Sequence, residues 1–201
     1  LTVDGEAIRA STPVEVEGSI RTILLAKEAL ERAGRPGMPI VNGVSSASTD
    51  VPTIAADAFG LAPTDAWEIS AIAEMKVDYD RMKKVAFLLR ATYPLGGLMG
   101  PLMGGYAGGP EGSAINMVAH LFLGRMAFMT EYTNFFPIDI HETCNTTRAM
   151  LWLTAMCHQA MARNTHMLHF ANTFIAAGPC TDFACYELIN HGVTAAVSGA
   201  A

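Results

Sequence analysis

Glu68 stands inside "TDAWEISAI", a run that is otherwise apolar or small from Ala66 to Ile72. Alternation of period two over this stretch predicts a strand. Glu68, Ser70 and Ile72 share one face of it, and Trp67, Ile69 and Ala71 the other. A carboxylate held in such a strand must find a partner or take up a proton. Glu68 therefore reads as an acid/base or cation-binding group, or as half of a structural ion pair, for instance with Arg148. His141 and Glu142 adjoin in "IHETCNTTR". They do not match HExxH, so they carry no zinc-protease signal. Along a strand the two point to opposite faces, and His141 is the candidate base. "GGYAGGPEG" carries Tyr106 and Glu111. Its backbone N–H groups suit a phosphate cradle, close approach of a flat ligand, or a tight exit turn, and its spacing matches no P-loop. Glu111 falls near a helix start, where the dipole favours a carboxylate whatever its role.

Those residues need elements to hold them. "LTVD" reads as the remnant of a strand and "MPIVN" as a second strand. "GGLMGPLMGGYAGG", "FPIDIHE" and "MLHFANTFIA" read as later ones. Helical patterns cover residues 18–33, 74–91, 112–131, 146–163 and 180–191, with a short helix in "STDVPTIAADAFG" capped by Ser48 or Thr49. In residues 74–91 the pattern turns Lys76, Asp80, Lys83 and Lys84 outward and Val77, Val85, Leu88 and Leu89 inward. Six alternating strand–helix units predict an α/β fold of the (β/α)₈ TIM-barrel type, incomplete and in one domain over residues 1–201. In such a barrel the site lies at the C-terminal strand ends. That rule selects Asp4, Val41 with Asn42, Glu68 with Ser70, Tyr106, His141 with Glu142, and Asn172 with Phe174.

The chain has 201 residues, 51% hydrophobic and only 16% charged, with net charge −6. A soluble monomer usually carries about 25% charged residues, so the chain is expected to be a fragment or to bury surface against partners. Without a Lys/Arg cluster, nucleic acid is not an expected partner. The best apolar stretch, "MVAHLFLGRMAFM", is broken by His120 and Arg125, and no membrane span is expected. Cys144, Cys157, Cys180 and Cys185 form no CxxC pair. A zinc site built from Cys144, Cys180, Cys185 and a histidine lacks the usual ligand spacing, so reduced thiols and no metal are expected. His120, His158 and His191 sit in helical patterns as packed or solvated residues. The helix "TRAMLWLTAMCHQAMAR" is apolar on nearly every side and reads as a subunit interface or as covered by further chain.

"AGRPGM", the glutamate of "TDAWEIS", "GGYAGG", "NTTR" and "AGPCT", in this order, resemble the monomethylamine methyltransferases of methanogens. The likeness runs from about Gly34 to the end. It implies a (β/α)₈ enzyme in which the ring imine of a pyrrolysine captures an amine and presents its methyl carbon to the cobalt of a separate corrinoid protein. The position implied for pyrrolysine is Val41, which forms no such adduct. A second family glutamate falls at Leu98, a glutamine at Asn172 and a tyrosine at Phe174, while the first glutamate remains as Glu68.

The resemblance thus implies a corrinoid-dependent methyltransferase that works without pyrrolysine. A quaternary ammonium suits it, because it carries its own charge and leaves as a neutral amine. Phe174 and Tyr106 would wall the cation and Glu68 would balance it, with Val41 making room. The implied partners are a corrinoid protein, a small methylated amine and further copies of the chain, in the cytoplasm, with no cofactor bound directly. A non-catalytic paralogue that keeps the barrel for assembly or corrinoid-protein docking is the alternative. A barrel enzyme using His141 as base is a third.

Overall fold

The structure, a computed structural model, describes residues 2–9, 12–40, 50–72, 75–91 and 94–201, apart from the side chains of residues 71, 72, 98 and 99. It divides into two compact units, Leu1–Ser70 with Val77–Gly96, and Ala71–Lys76 with Gly97–Ala201.

The first unit opens with a hairpin. β1 (Thr2–Val3) pairs antiparallel with β2 (Glu6–Ala7) across Asp4 and Gly5, both at positive φ. An Asp-Gly pair is suited to the mirror-image turn that matches strand twist. "LTVD" is therefore one arm of a local hairpin, and Asp4 is engaged by the Arg21 guanidinium at 2.8 and 3.1 Å. Helix α1 (Pro13–Arg32) starts five residues before the sequence pattern does. Pro13 is preset for the first turn and the Thr12 hydroxyl accepts from the Glu15 N–H. α1 packs on α2 (Val51–Ala58). The N-cap of α2 is Asp50, and the predicted caps Ser48 and Thr49 lie outside the described residues.

β3 (Trp67–Ile72) follows, with Trp67, Glu68, Ile69 and Ser70 all buried. Burial of both faces is what a strand covered on each side requires. In α3 (Tyr79–Arg90), Asp78 caps the Arg81 N–H at 2.8 Å. Lys84 corrects the outward assignment. It is fully buried, with its ammonium 5.8 Å from the Trp67 ring centroid. A long aliphatic stem and a cation–π contact make this burial tolerable. Val77 and Leu89, expected inside, are 46% and 41% exposed. Val77 precedes the helix and Leu89 lies in its last turn, whereas Val85 and Leu88 are buried as the pattern expects. β4 (Leu95–Gly100) neighbours β3 in the sheet.

The second unit carries the clearest parallel structure. β5 (Leu102–Met103) leads to α4 (Pro110–Ala127), then β6 (Tyr132–Phe135), β7 (Ile138–Asp139), α5 (Arg148–Asn164), β8 (Leu168–Ala171) and α6 (Asp182–Val197). β6 and β8 pair in parallel, Tyr132 opposite Leu168 and Phe135 opposite Ala171, and β4 lies on the other side of β6. β5 and β7 form a separate parallel pair. Parallel strands need crossovers, and α5 supplies one between β6 and β8. Met117, Leu121, Phe135, Met150, Leu153, Cys157 and Met161 fill the core. Each such side chain contributes about 1.5–3 kcal/mol on burial, more than a helix cap at about 1 kcal/mol. Packing rather than capping thus dominates. On α5 the buried stripe leaves Trp152 and Met156 exposed at 43% and 46%. The fold is α/β with parallel strands. Among the described residues no helix is long and apolar enough to cross a membrane.

Candidate active site

Parallel strands deliver their following loops to one end, and there the second unit gathers polar and aromatic residues. After β6 the chain reaches Phe136, 8% exposed; after β8 it reaches Asn172, Thr173 and Phe174. The Phe136 and Phe174 rings meet edge to face, 4.5 Å between centroids at 90°. This arrangement leaves the face of one ring available to a cation. Phe174 keeps 42% of its surface exposed. Asn172 is half-buried.

Gly100, at the end of β4, lets the Phe136 backbone pass directly over it. A Cβ there would sit 1.9 Å from the Phe136 carbonyl oxygen and 2.7 Å from the Pro137 nitrogen. Gly100→Ala is expected to destabilise by about 1–3 kcal/mol, because backbone rather than a flexible side chain must yield. A thermal melt within about 1 °C of wild type would contradict this, since about 1 kcal/mol moves Tm by several degrees.

Asn145 joins these loops. It is fully buried, and its Nδ2 donates to the Asn172 carbonyl at 2.6 Å. Its Oδ1 accepts from the Phe174 N–H at 2.7 Å, and its own N–H donates to the Phe174 carbonyl at 2.9 Å. Behind the loop, Thr173 Oγ1 lies 2.8 Å from His191 Nδ1. Sequence reasoning singled out neither Asn145 nor Phe136. "NTTR" contains Asn145, but its partners lie 27 and 29 residues away.

His141 and Glu142 are not on a strand. They occupy a turn over residues 140–143 and both are exposed, so the opposite-faces expectation does not apply. The turn is closed by a bridge between Asp139 and Cys144, and the Asp139 carboxylate accepts from the His141 N–H at 3.0 Å. The His141 ring lies against Gly104, where a Cβ would sit 3.0 Å from its Nε2. Gly104 opens the loop carrying Tyr106, which is 88% exposed. Residues 139–145 therefore connect the His141–Tyr106 side to the Asn172–Phe174 side. In the glycine loop, the N–H groups of Gly104, Gly105 and Gly108 bond to the carbonyls of Gly108, Leu102 and Gly105. These three amides are committed internally, which argues for a tight exit turn and against a phosphate cradle. Glu111 is exposed in the first turn of α4.

In the first unit, Glu68 is 6% exposed. The Lys84 ammonium is held down to about 8 by burial, against the opposing charges of Glu15 and Glu68. Arg148, the other partner considered, is exposed at the first turn of α5. Asp65 was missed, although it lies in "TDAWEIS". It is fully buried and accepts from Lys27 Nζ at 2.6 Å, the Ile40 N–H at 2.7 Å and the Ala62 N–H at 2.8 Å. Ile40 leads straight to Val41. Val41, Asn42 and the side chain of Leu98 lie outside the described residues. Among the described residues no group of three or more His, Cys, Asp or Glu is arranged to hold a metal ion.

The sequence model described as "Monomethylamine methyltransferase MtmB" matches residues 1–201. Monomethylamine methyltransferase MtmB2 of Methanosarcina barkeri is 30% identical over 199 residues, 98% of this chain and 43% of its own. MtmB of Methanosarcina mazei is 28% identical over 200 residues, again 98% and 43%. The crystal structure of Methanosarcina barkeri MtmB matches with a TM-score of 0.90 at 28% identity, over 99% of this chain and 44% of that one. The hydroxylamine complex of MtmB gives the same values. The chain thus spans less than half the length of these relatives. With a fold this similar and a family match over its whole length, the chain belongs to the monomethylamine methyltransferase MtmB family.

Proposed function

We propose that the protein takes part in moving a methyl group from a methylated amine to the cobalt of a corrinoid protein, without pyrrolysine, and that its amine is quaternary or otherwise altered. In this reading the chain forms part of a (β/α)₈-type barrel in a cytoplasmic homo-oligomer. The observation that carries the proposal is the Phe136–Phe174 corner at the C-terminal ends of β6 and β8. A quaternary ammonium has no N–H to donate. It is held by aromatic faces, and Phe174 offers an exposed ring. Val41 cannot form an imine adduct, and a quaternary nitrogen needs none. As the methyl carbon is attacked, the C–N bond breaks with its electron pair going to nitrogen, and a neutral tertiary amine leaves.

The corrinoid, carried by its own protein, would supply a strongly nucleophilic metal centre to accept that carbon. Its approach requires an open face, which the exposed Tyr106 and Phe174 fit. This chain's residues bind and orient the amine. Asn172, beside Phe174, would shape the pocket, and Glu68 and Leu98 enter the reading only through the family resemblance. The exposed His141, whose ring lies against Gly104, would serve as base, and Glu111 stands in the first turn of the helix after the glycine loop.

One observation favours the non-catalytic alternative: Glu68 is buried within reach of the Lys84 charge, as a purely structural carboxylate would be. The deciding assay combines the complete protein and its corrinoid partner with monomethylamine, trimethylamine and tetramethylammonium. Demethylated product from tetramethylammonium and none from monomethylamine is expected. Phe174→Ala is expected to raise KM for the cation about 3- to 30-fold, the range of a cation–π contact. Cation binding without product would favour the non-catalytic alternative. No product and no binding with any of the amines would end the proposal.

A further inference from the structure

Asn145 is fully buried and makes three hydrogen bonds to the candidate loop, to the Asn172 carbonyl and to the Phe174 N–H and carbonyl. A primary amide offers one acceptor oxygen and two donor hydrogens. Here the oxygen meets an N–H, at Phe174, and the nitrogen meets a carbonyl, at Asn172. Together with the Asn145 N–H on the Phe174 carbonyl, the pattern pairs Asn145 with the loop much as a neighbouring strand would. The residue between, Thr173, points the other way and is fixed by His191, which is 1% exposed on α6. The three-residue segment is thus held on both sides, and the direction of the Phe174 ring follows from it.

We propose that Asn145 is a positioning residue: it sets the orientation of Asn172 and Phe174, and through Phe174 the fit of methylated ammonium ions of different size. The second half of this statement rests on the function proposed above; the first does not. An aspartate at 145 keeps the shape but brings a carboxylate oxygen against the Asn172 carbonyl, where two acceptors face each other. A serine removes the reach to one or both partners.

The test uses Asn145→Asp and Asn145→Ser in the complete protein. Hydrogen exchange at the Phe174 amide is measured first. Asn145→Ser, which withdraws the acceptor from the Phe174 N–H, is expected to exchange at least about tenfold faster than wild type there, as loss of one buried hydrogen bond implies, whereas Asn145→Asp keeps an acceptor for that N–H and changes its exchange less. Amides in the middle of α4 serve as the internal reference and stay protected. Binding of tetramethylammonium and trimethylammonium is measured next, and the wild-type preference between them is expected to fall about tenfold. Unchanged protection at Phe174 in the folded serine variant overturns the proposal. Faster exchange with an unchanged preference overturns its specificity half. If wild type binds neither cation, the functional reading fails, and the exchange result still decides whether Asn145 positions the loop. If Asn145→Ser does not fold, Asn145→Ala takes its place in both measurements. If neither folds, Asn145 is a general structural residue and the proposal falls.

Discussion

Asp65→Ala is expected to destabilise the first unit by about 3–5 kcal/mol, the cost of breaking a buried ion pair from one side. The loss is larger than that of an ordinary surface pair, worth about 0–1 kcal/mol, because the carboxylate is fully buried. Alanine leaves the Lys27 ammonium and the N–H groups of Ile40 and Ala62 without their shared acceptor. Asp65→Asn keeps the volume and one acceptor oxygen, so it is expected to lose less. Urea denaturation monitored in the first unit checks both; an alanine variant within about 1 kcal/mol of wild type would refute the account. The pH dependence has a definite sign. Burial raises the Asp65 carboxyl, but the amides of Ala62 and Ile40 and the Lys27 ammonium outweigh it and hold the group below the usual carboxylate range. A depressed carboxyl contributes above its unfolded value near ~3.9 and loses that contribution as pH falls through its folded one.

Acidification is expected to destabilise the second unit through a different group. His158 on α5 and His169 on β8 face each other, Nδ1 to Nδ1 at 2.8 Å, with the Phe135 ring of β6 against both. His191 of α6 acts on His158 through its charge. Burial first, then the charges of His169 and His191, push the His158 imidazole down to about 3. Burial lowers His169 and His191 as well. The neutral pair holds a single proton between the two Nδ1 atoms. His158 Nε2 is buried without a hydrogen-bond partner, so the bare lone pair belongs there and His158 donates through Nδ1. A second proton would set two donors against each other. For a histidine with a depressed folded value, stability is complete above the unfolded value near ~6.5 and falls with pH until the folded value is reached. That linkage corresponds to about 2 kcal/mol lost between pH 7 and 5, and about 4 kcal/mol by pH 3. Denaturation midpoints at pH 7 and 5 measure it. His158→Gln is expected to flatten the difference; an equal slope in the variant would remove His158 as its cause.

Most elements were legible because their signals are local. The alternation of "AWEISAI" gives β3, and helices α4 and α5 fall within a few residues of their patterns. Boundaries moved where a cap outweighed periodicity, as at Thr12 and Asp78. The pattern for α6 ended at His191, and the helix continues through Gly192 to Val197. Lys84 was assigned by residue type to the wet face, whereas its place is decided by Trp67 on another element. The site divides in the same way. Glu68 stands out because an acid in an apolar strand is anomalous within six residues. Asn145, Phe136 and Asp65 look ordinary in their own windows. Their roles arise from partners 25 to 38 residues away, in contacts formed only on folding.

The thiols give the molecule a built-in clock. Cys180 and Cys185 are exposed, while Cys144 and Cys157 are buried, and burial pushes the Cys157 thiol up to about 12. An alkylating reagent at neutral pH would therefore modify the first two promptly and the others only during opening. Cys144 immediately precedes Asn145, so its labelling rate times the release of the Asn172–Phe174 loop, whereas Cys157 times the parting of α4 from α5. Comparing the two rates would separate local breathing at the pocket from loss of the whole core.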